Sequence, residues 1–225
     1  MNLKITVSEH GCLVEQEGQN GDVILKAVDA TDLARAFAGD SILDTGWLGP
    51  RIHRFAQVGG VTRLLVEAPP TRRTIRYERA TVENVPTPRM LFNFGLRNGQ
   101  LQSARVVVCA EPVPPQMEWI PTDTTPVARV PFPNVFHDTR VCWGRAAIPV
   151  LTIETVGVLV NLFFAAPFNH DLETDGLPSL WRGSAPPRGV DLLRRLAAEP
   201  RFPMDLLVRC GTLGSWWQGD VNGRW

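Results

Sequence analysis

Seven prolines crowd the stretch from Glu111 to Pro133: Pro112, Pro114, Pro115, Pro121, Pro126, Pro131 and Pro133. Proline fixes φ and has no N–H to donate, and the stretch is nearly devoid of periodicity, so it does not read as a regular element. It parts an upstream region of strand-like runs from a downstream region of helical patterns. An irregular segment of this length in a compact domain reads as an ordered flap with a functional role. With nineteen Pro and nineteen Gly among 225 residues, the chain is turn-rich and α+β, not a helical bundle. Its length suits one domain, or one domain with an elaboration.

Upstream, Leu3–Val7, Cys12–Glu15 and Val23–Leu25 read as short strands, with turns at Gly11 and at Gln19-Asn20-Gly21. Asp29-Ala30-Thr31-Asp32 then caps a short helix from Leu33 to Ala38, stopped by Gly39. Four further β-like runs follow, Val61–Glu67, Thr74–Glu78, Met90–Leu96 and Ser103–Ala110, broken at Pro69-Pro70, Asn84–Pro88 and Asn98-Gly99. An antiparallel meander is the simplest topology for neighbouring runs joined by short breaks. Downstream, helical patterns occupy 152–165 and 189–198, followed by an apolar run Met204–Arg209 and the pair Trp216-Trp217.

The most apolar stretch, Ile148–Phe168, is interrupted by Glu154 and Asn161. Its uncharged part is shorter than the ~20 residues that span a bilayer, so it reads as a buried helix. Lys+Arg and Asp+Glu both total 23, and Lys4 and Lys26 are the only lysines. No basic footprint for a phosphate backbone is present, and a nucleic-acid partner is not expected. The four cysteines, Cys12, Cys109, Cys142 and Cys210, form no CxxC pair, so no sequence-local zinc site is expected. Residues Met1–His10 contain no apolar core of a signal peptide, and free thiols in a cytoplasmic protein are the expectation.

The chemistry concentrates in Arg129–Gly144. Cys142 lies eight residues after Asn134, which follows Pro133. A thioester carrier needs an accessible thiol whose thiolate attacks an activated acyl group. It also needs a donor aimed at the oxyanion that forms when an amine attacks the thioester. The Asn134 carboxamide donates without titrating, and Pro133 helps fix its turn. Arg140 and Arg145 flank the cysteine and favour its charged form. Taken alone, Cys142 also fits a buried apolar cysteine and Asn134 an ordinary turn residue. Trp143, Phe163, Phe164 and Phe168 read as core.

This segment resembles ubiquitin-conjugating enzymes. They carry His-Pro-Asn, an apolar pair, a short polar turn and an apolar residue before a catalytic cysteine eight residues past the asparagine. Pro133, Asn134, Val141 and Cys142 stand in those places. The likeness is closer to one bacterial branch, the prokaryotic ubiquitin-conjugating-enzyme-like family D, the family of the PRTRC system protein B. Asn134-Val135-Phe136, Cys142-Trp143-Gly144, Phe163-Phe164, Phe168-Asn169-His170, Trp181 and Phe202-Pro203 follow its pattern in order. The likeness runs loosely over 60–213 and is specific at 131–144 and 163–171.

The resemblance implies an α+β, ubiquitin-conjugating-enzyme-like (UBC-like) fold with an antiparallel β-meander and flanking helices. Residues 29–225 would form that core and 1–28 a β elaboration. It implies a carrier that accepts a ubiquitin-like modifier as a thioester on Cys142 and transfers it to an amine, with Asn134 assisting. A ThiF-like adenylating enzyme would load it, a JAB-type peptidase belongs to the same setting, and no cofactor or membrane is involved. Phe132 replaces the family's histidine, and Trp143-Gly144 replaces the usual continuation. The base that takes the acceptor's proton is therefore open among His137, Asp138, His170 and Asp171. Two other roles fit the same family: a catalytically silent scaffold, and an accessory factor of plasmid maintenance.

Overall fold

The computed structural model describes residues 3–8, 11–17, 23–28, 43–47, 51–111, 119–152, 155–172, 177–178 and 181–221. The helix expected over Leu33–Ala38, and 112–118 of the proline-rich stretch, lie outside them. The chain groups into two compact units, Met1–Leu43 with Gln57–Gly60, and Asp44–Ala56 with Val61–Trp225.

The first unit holds β1 (Leu3–Ser8), β2 (Gly11–Glu17) and β3 (Val23–Val28), an antiparallel three-stranded sheet in chain order. Cross-strand pairs such as Ile5 with Val14 fix its register, and Lys4 Nζ meets Glu15 Oε2 at 2.8 Å. These are the three strands expected near the N-terminus.

The second unit is built on a seven-stranded sheet. Its strands are β4 (Leu43–Trp47), β5 (Ile52–Val58), β6 (Val61–Ala68), β9 (Met90–Arg97), β10 (Gln100–Cys109), β11 (Pro126–Ala128) and β12 (Arg209–Thr212), ordered β12-β11-β10-β9-β6-β5-β4. Strands β6, β9 and β10 are apolar on both sides because both faces are covered. Leu64, Val66, Phe92, Phe94, Val106 and Val108 face one core, and Leu65, Leu91 and Val107 face the other.

Two helices cover the first face. Helix α1 (Val158–Ala165) buries Leu159, Val160, Phe163 and Phe164, and the Phe163 ring meets Phe92 at 5.4 Å. Helix α2 (Gly189–Ala197) turns Leu192, Leu193 and Leu196 inward and Arg194 and Arg195 outward. Its C-terminal carbonyls are capped by Arg72, which donates to Ala197 O at 2.9 Å and Glu199 O at 3.0 Å. Helix α3 (Leu213–Val221) covers the second face with Leu213, Trp216 and Trp217. The tryptophan pair is core, each 2% exposed.

The architecture is α+β, as expected, but the meander differs. After Pro69-Pro70 the chain leaves the sheet. The run expected as its second strand becomes β7 (Thr71–Tyr77), paired with β8 (Ala80–Thr87) in a separate hairpin and bridged at Tyr77 to Phe168. Glu78, at φ 51, makes the tight turn, and β6 pairs directly with β9. Helix α1 starts at Val158 rather than at 152. Thr152 and Thr155 bond each other's backbone amides through their hydroxyls, at 2.8 and 3.3 Å, which competes with helix. The run Met204–Arg209 holds a single 3-10 turn (Met204–Leu206) before β12.

Candidate active site

The Asn–Cys spacing is the register of a hairpin. Cys142 N–H donates to Asn134 O at 2.7 Å, Phe136 N–H donates to Arg140 O at 2.8 Å, and Val135 bridges Val141. A turn bond from Thr139 N–H to Phe136 O, 2.9 Å, closes the tip. Asn134 and Cys142 therefore stand opposite each other across an antiparallel ladder, where facing side chains are neighbours. Val135 and Val141 anchor the hairpin in the core. The returning arm docks on β10, with Val106 N–H to Thr139 O and Val141 N–H to Ala104 O both at 2.9 Å. Asn134 and Thr139 are left-handed, at φ 73 and φ 71. Asn tolerates that region, whereas a β-branched residue there is strained.

Cys142 is partly exposed on an open cleft of about 650 Å³. Asn134, Trp143 and Arg145 line the cleft on its side, and Leu162, Ala165, Ala166 and Pro167 come from the end of α1. Asn134, 8% exposed, lines the cleft from a nearly buried position. Phe163 and Phe164 are buried and do not close over the thiol. A second groove of about 440 Å³, along Leu101–Arg105 and Ile148, shares Phe136 and Trp143 with the cleft. Phe132, in the place of the family's histidine, is buried against Phe168 and Phe202 at 6.2 and 6.1 Å between ring centres.

The remaining candidates divide. Asp171 lines the cleft, together with Asn169, whose carboxamide donates to Asp171 Oδ2 at 2.8 Å and accepts the Asp171 N–H at 3.1 Å. His170 lies between them in sequence but outside the cleft lining, exposed, with Nδ1 2.8 Å from Glu78 Oε1. That hydrogen bond, then the charges of Glu78 and Asp171, raise its pKa. Asp138 sits at the hairpin tip, also outside the cleft lining. Burial alone pushes its carboxyl up. Hydrogen bonds from Arg140, 3.2 Å from N–H and 2.6 Å from Nε, with the charges of Arg140 and Arg105, outweigh that and hold it below the usual range. Arg140 is thereby drawn to Asp138 and over the Phe136 ring, leaving Arg145 as the flanking cation in the cleft. His137 is exposed beside Asp138.

Comparison with known proteins decides the family. The model of prokaryotic E2 family D matches residues 30–210, a span that takes in the hairpin and the cleft. The chain belongs to that family. No curated protein and no solved structure gives a significant match. Membership in prokaryotic E2 family D carries an E2-like role, that of a ubiquitin-like-conjugating transferase working with a modifier and an activating enzyme.

Within this family D protein Cys109, Cys142 and Cys210 are free thiols. Cys109 is fully buried, and that burial pushes its thiol up to about 11. Cys210 is exposed as a residue, but the partial burial of its sulfur, which donates to Val127 O at 3.7 Å, raises its pKa. Among the described residues no group of His, Cys, Asp and Glu gathers as a metal site. No helix among them is long and apolar enough to cross a membrane. What the cleft offers is a reachable thiol, a facing carboxamide, a carboxylate and a cation. Asn169 is the lining residue that motif reading passes over. The signal lies in Phe168-Asn169-His170, whose titratable member is the more conspicuous candidate.

Proposed function

We propose that this protein carries a ubiquitin-like modifier as a thioester on Cys142 and passes it to an amine, within a UBC-like core. The observation that supports this most strongly is the hairpin register that sets Asn134 opposite a partly exposed Cys142 on an open cleft. The Cys142 thiolate attacks the activated modifier carbonyl and its leaving group departs. An amine then attacks the thioester, Asn134 donates to the oxyanion, and the C–S bond breaks to return the thiolate. Asp171 is the carboxylate best placed to take the amine proton, because it lines the cleft. Asp138 sets the hairpin tip through Arg140, and His170 ties the opposite rim to Glu78. The family resemblance supplies the setting: a ThiF-like adenylating enzyme upstream, a PRTRC-type cassette with a JAB-type peptidase, and the reducing cytoplasm that a free nucleophilic thiol requires.

The test is a gel-shift assay with cognate modifier and adenylating enzyme, run with and without reductant. The wild type should give a reductant-sensitive band. Cys142→Ser should give a reductant-resistant oxyester, since an alkoxide is the poorer leaving group, and Cys142→Ala no band. A reductant-sensitive band that persists in Cys142→Ala removes the mechanism. No band from the wild type with verified partners favours the silent scaffold.

A further inference from the structure

We propose that Trp216 of helix α3 is a positioning residue for the Cys142 hairpin, acting through the hydroxyl of Thr139; this rests on the carrier reading above. Thr139 is three residues before the thiol and 7% exposed. It holds a left-handed φ of 71, a conformation a β-branched residue adopts only when its surroundings over-determine it. Three bonds do so. Its N–H donates to Phe136 O and its carbonyl accepts from Val106 N–H, both at 2.9 Å. Its Oγ1 accepts the indole N–H of Trp216, 2.9 Å, from a side chain only 2% exposed. Next to it, Arg105 Nη2 donates to Asp138 O at 2.9 Å. The hairpin tip is thus latched to the sheet from β10 and, through one buried side-chain bond, to a helix 77 residues away in sequence.

The consequence is directional. Neither Trp216 nor Thr139 lines the cleft, so neither touches the reacting groups. Thr139 fixes the arm that carries Val141 and Cys142, and Cys142 is in turn bonded to Asn134. Loss of the latch frees the tip and spoils the alignment of Asn134 with the thioester carbonyl, while a reachable thiol remains. Loading should therefore survive and discharge should suffer.

The experiment compares Thr139→Val, which keeps the shape and β-branching but removes the acceptor, with Thr139→Ser, which keeps the hydroxyl, and with Trp216→Phe. Each full-length protein is loaded, and single-turnover discharge to free lysine is followed at a temperature where all are folded. Thr139→Val and Trp216→Phe should load to the wild-type extent and discharge about tenfold more slowly, as expected for a small misalignment of reacting groups. Thr139→Ser should restore the wild-type rate. Amide exchange at Val106 and Cys142 should quicken in the two slow variants only. Wild-type discharge by Thr139→Val, or a Thr139→Ser as slow as Thr139→Val, overturns the proposal. If the wild type itself never loads, the carrier reading fails separately. Exchange then decides the latch, and unchanged protection in Thr139→Val sinks it.

Discussion

Asn134 meets two demands at once. Its backbone sits at φ 73, which few residues tolerate, and in the carrier reading proposed above its side chain donates into the cleft. Substitution by alanine confounds the two, because a Cβ at positive φ is strained. Glycine relieves the backbone and removes only the carboxamide. Asn134→Gly should therefore load normally and discharge about 10²-fold more slowly, in line with loss of one oxyanion donor; discharge at the wild-type rate would assign Asn134 to the turn alone. The thiols offer a partner-free check. Burial holds the Cys109 thiol up at about 11, so limiting alkylation near neutral pH should label Cys142 well before Cys109. His170 gives a pH test. Its pKa is raised above 6.5 by Glu78, so the stabilisation from this pair is complete below 6.5 and is lost as the pH climbs through the raised value. An NMR titration should place the His170 midpoint above that of Glu78→Gln. At this scale the sequence is legible for the pairing of Cys142 with Asn134 across the hairpin, because motif spacing encodes it. It is not legible for Asp171 over His170, because which member of Asn169-His170-Asp171 faces the cleft depends on how the chain leaves α1.

Hairpin geometry turns the eight-residue spacing into a structural requirement. Cys142 N–H to Asn134 O, the Val135–Val141 bridge and Phe136 N–H to Arg140 O belong to one ladder. Side chains alternate along such a ladder, so a slip of one residue moves Cys142 out of the place facing Asn134. One glycine inserted after Asp138 should leave the protein folded and its thiol alkylatable, yet lower discharge at least as far as Asn134→Gly. An insertion variant that discharges normally would show that facing placement is not needed. Three strands of the sheet, β6, β9 and β10, were readable from their apolar runs, and α2 from its amphipathic period with Leu192, Leu193 and Leu196 inward, whereas β4, β5, β11 and β12 were not. The partnering of β7 was not. Thr71–Tyr77 alternates like any half-buried strand, and its apolar pattern does not name the strand it pairs with. The answer lay in Pro69-Pro70, which carries the chain off the sheet, and in β8, whose Asn84 and Pro86 disguise a strand as a loop. Asn84 sits at φ 56 beside a register shift, and such an irregularity lets a two-stranded ribbon take residues that a central strand refuses.

In the second unit, the sheet face under Trp119 carries a charged network of a kind that no apolar pattern announces. His53 on β5 is fully buried, with Nε2 2.6 Å from Glu67 Oε2, and Arg89 bonds the other oxygen of the same carboxylate. Trp119 covers the cluster, edge-on to His53 at 5.6 Å and under the Arg89 guanidinium at 4.7 Å. The cluster thus ties β5, β6, the residue before β9 and, through Trp119, the proline-rich stretch. Each charge has lost its water, so removing one partner leaves the others uncompensated. That loss costs about 3–5 kcal/mol, more than the pair is worth against an apolar replacement. Glu67→Ala should lower the unfolding free energy by about that amount, a large part of the ~5–15 kcal/mol that stabilises a typical domain. Arg89→Ala should also destabilise. The double variant should cost less than the sum, because the second substitution removes a group the first had already stranded. Denaturant unfolding of the two single variants and the double variant measures this. Additivity within about 0.5 kcal/mol would mean that the two side chains act independently and that the network does not hold these strands together.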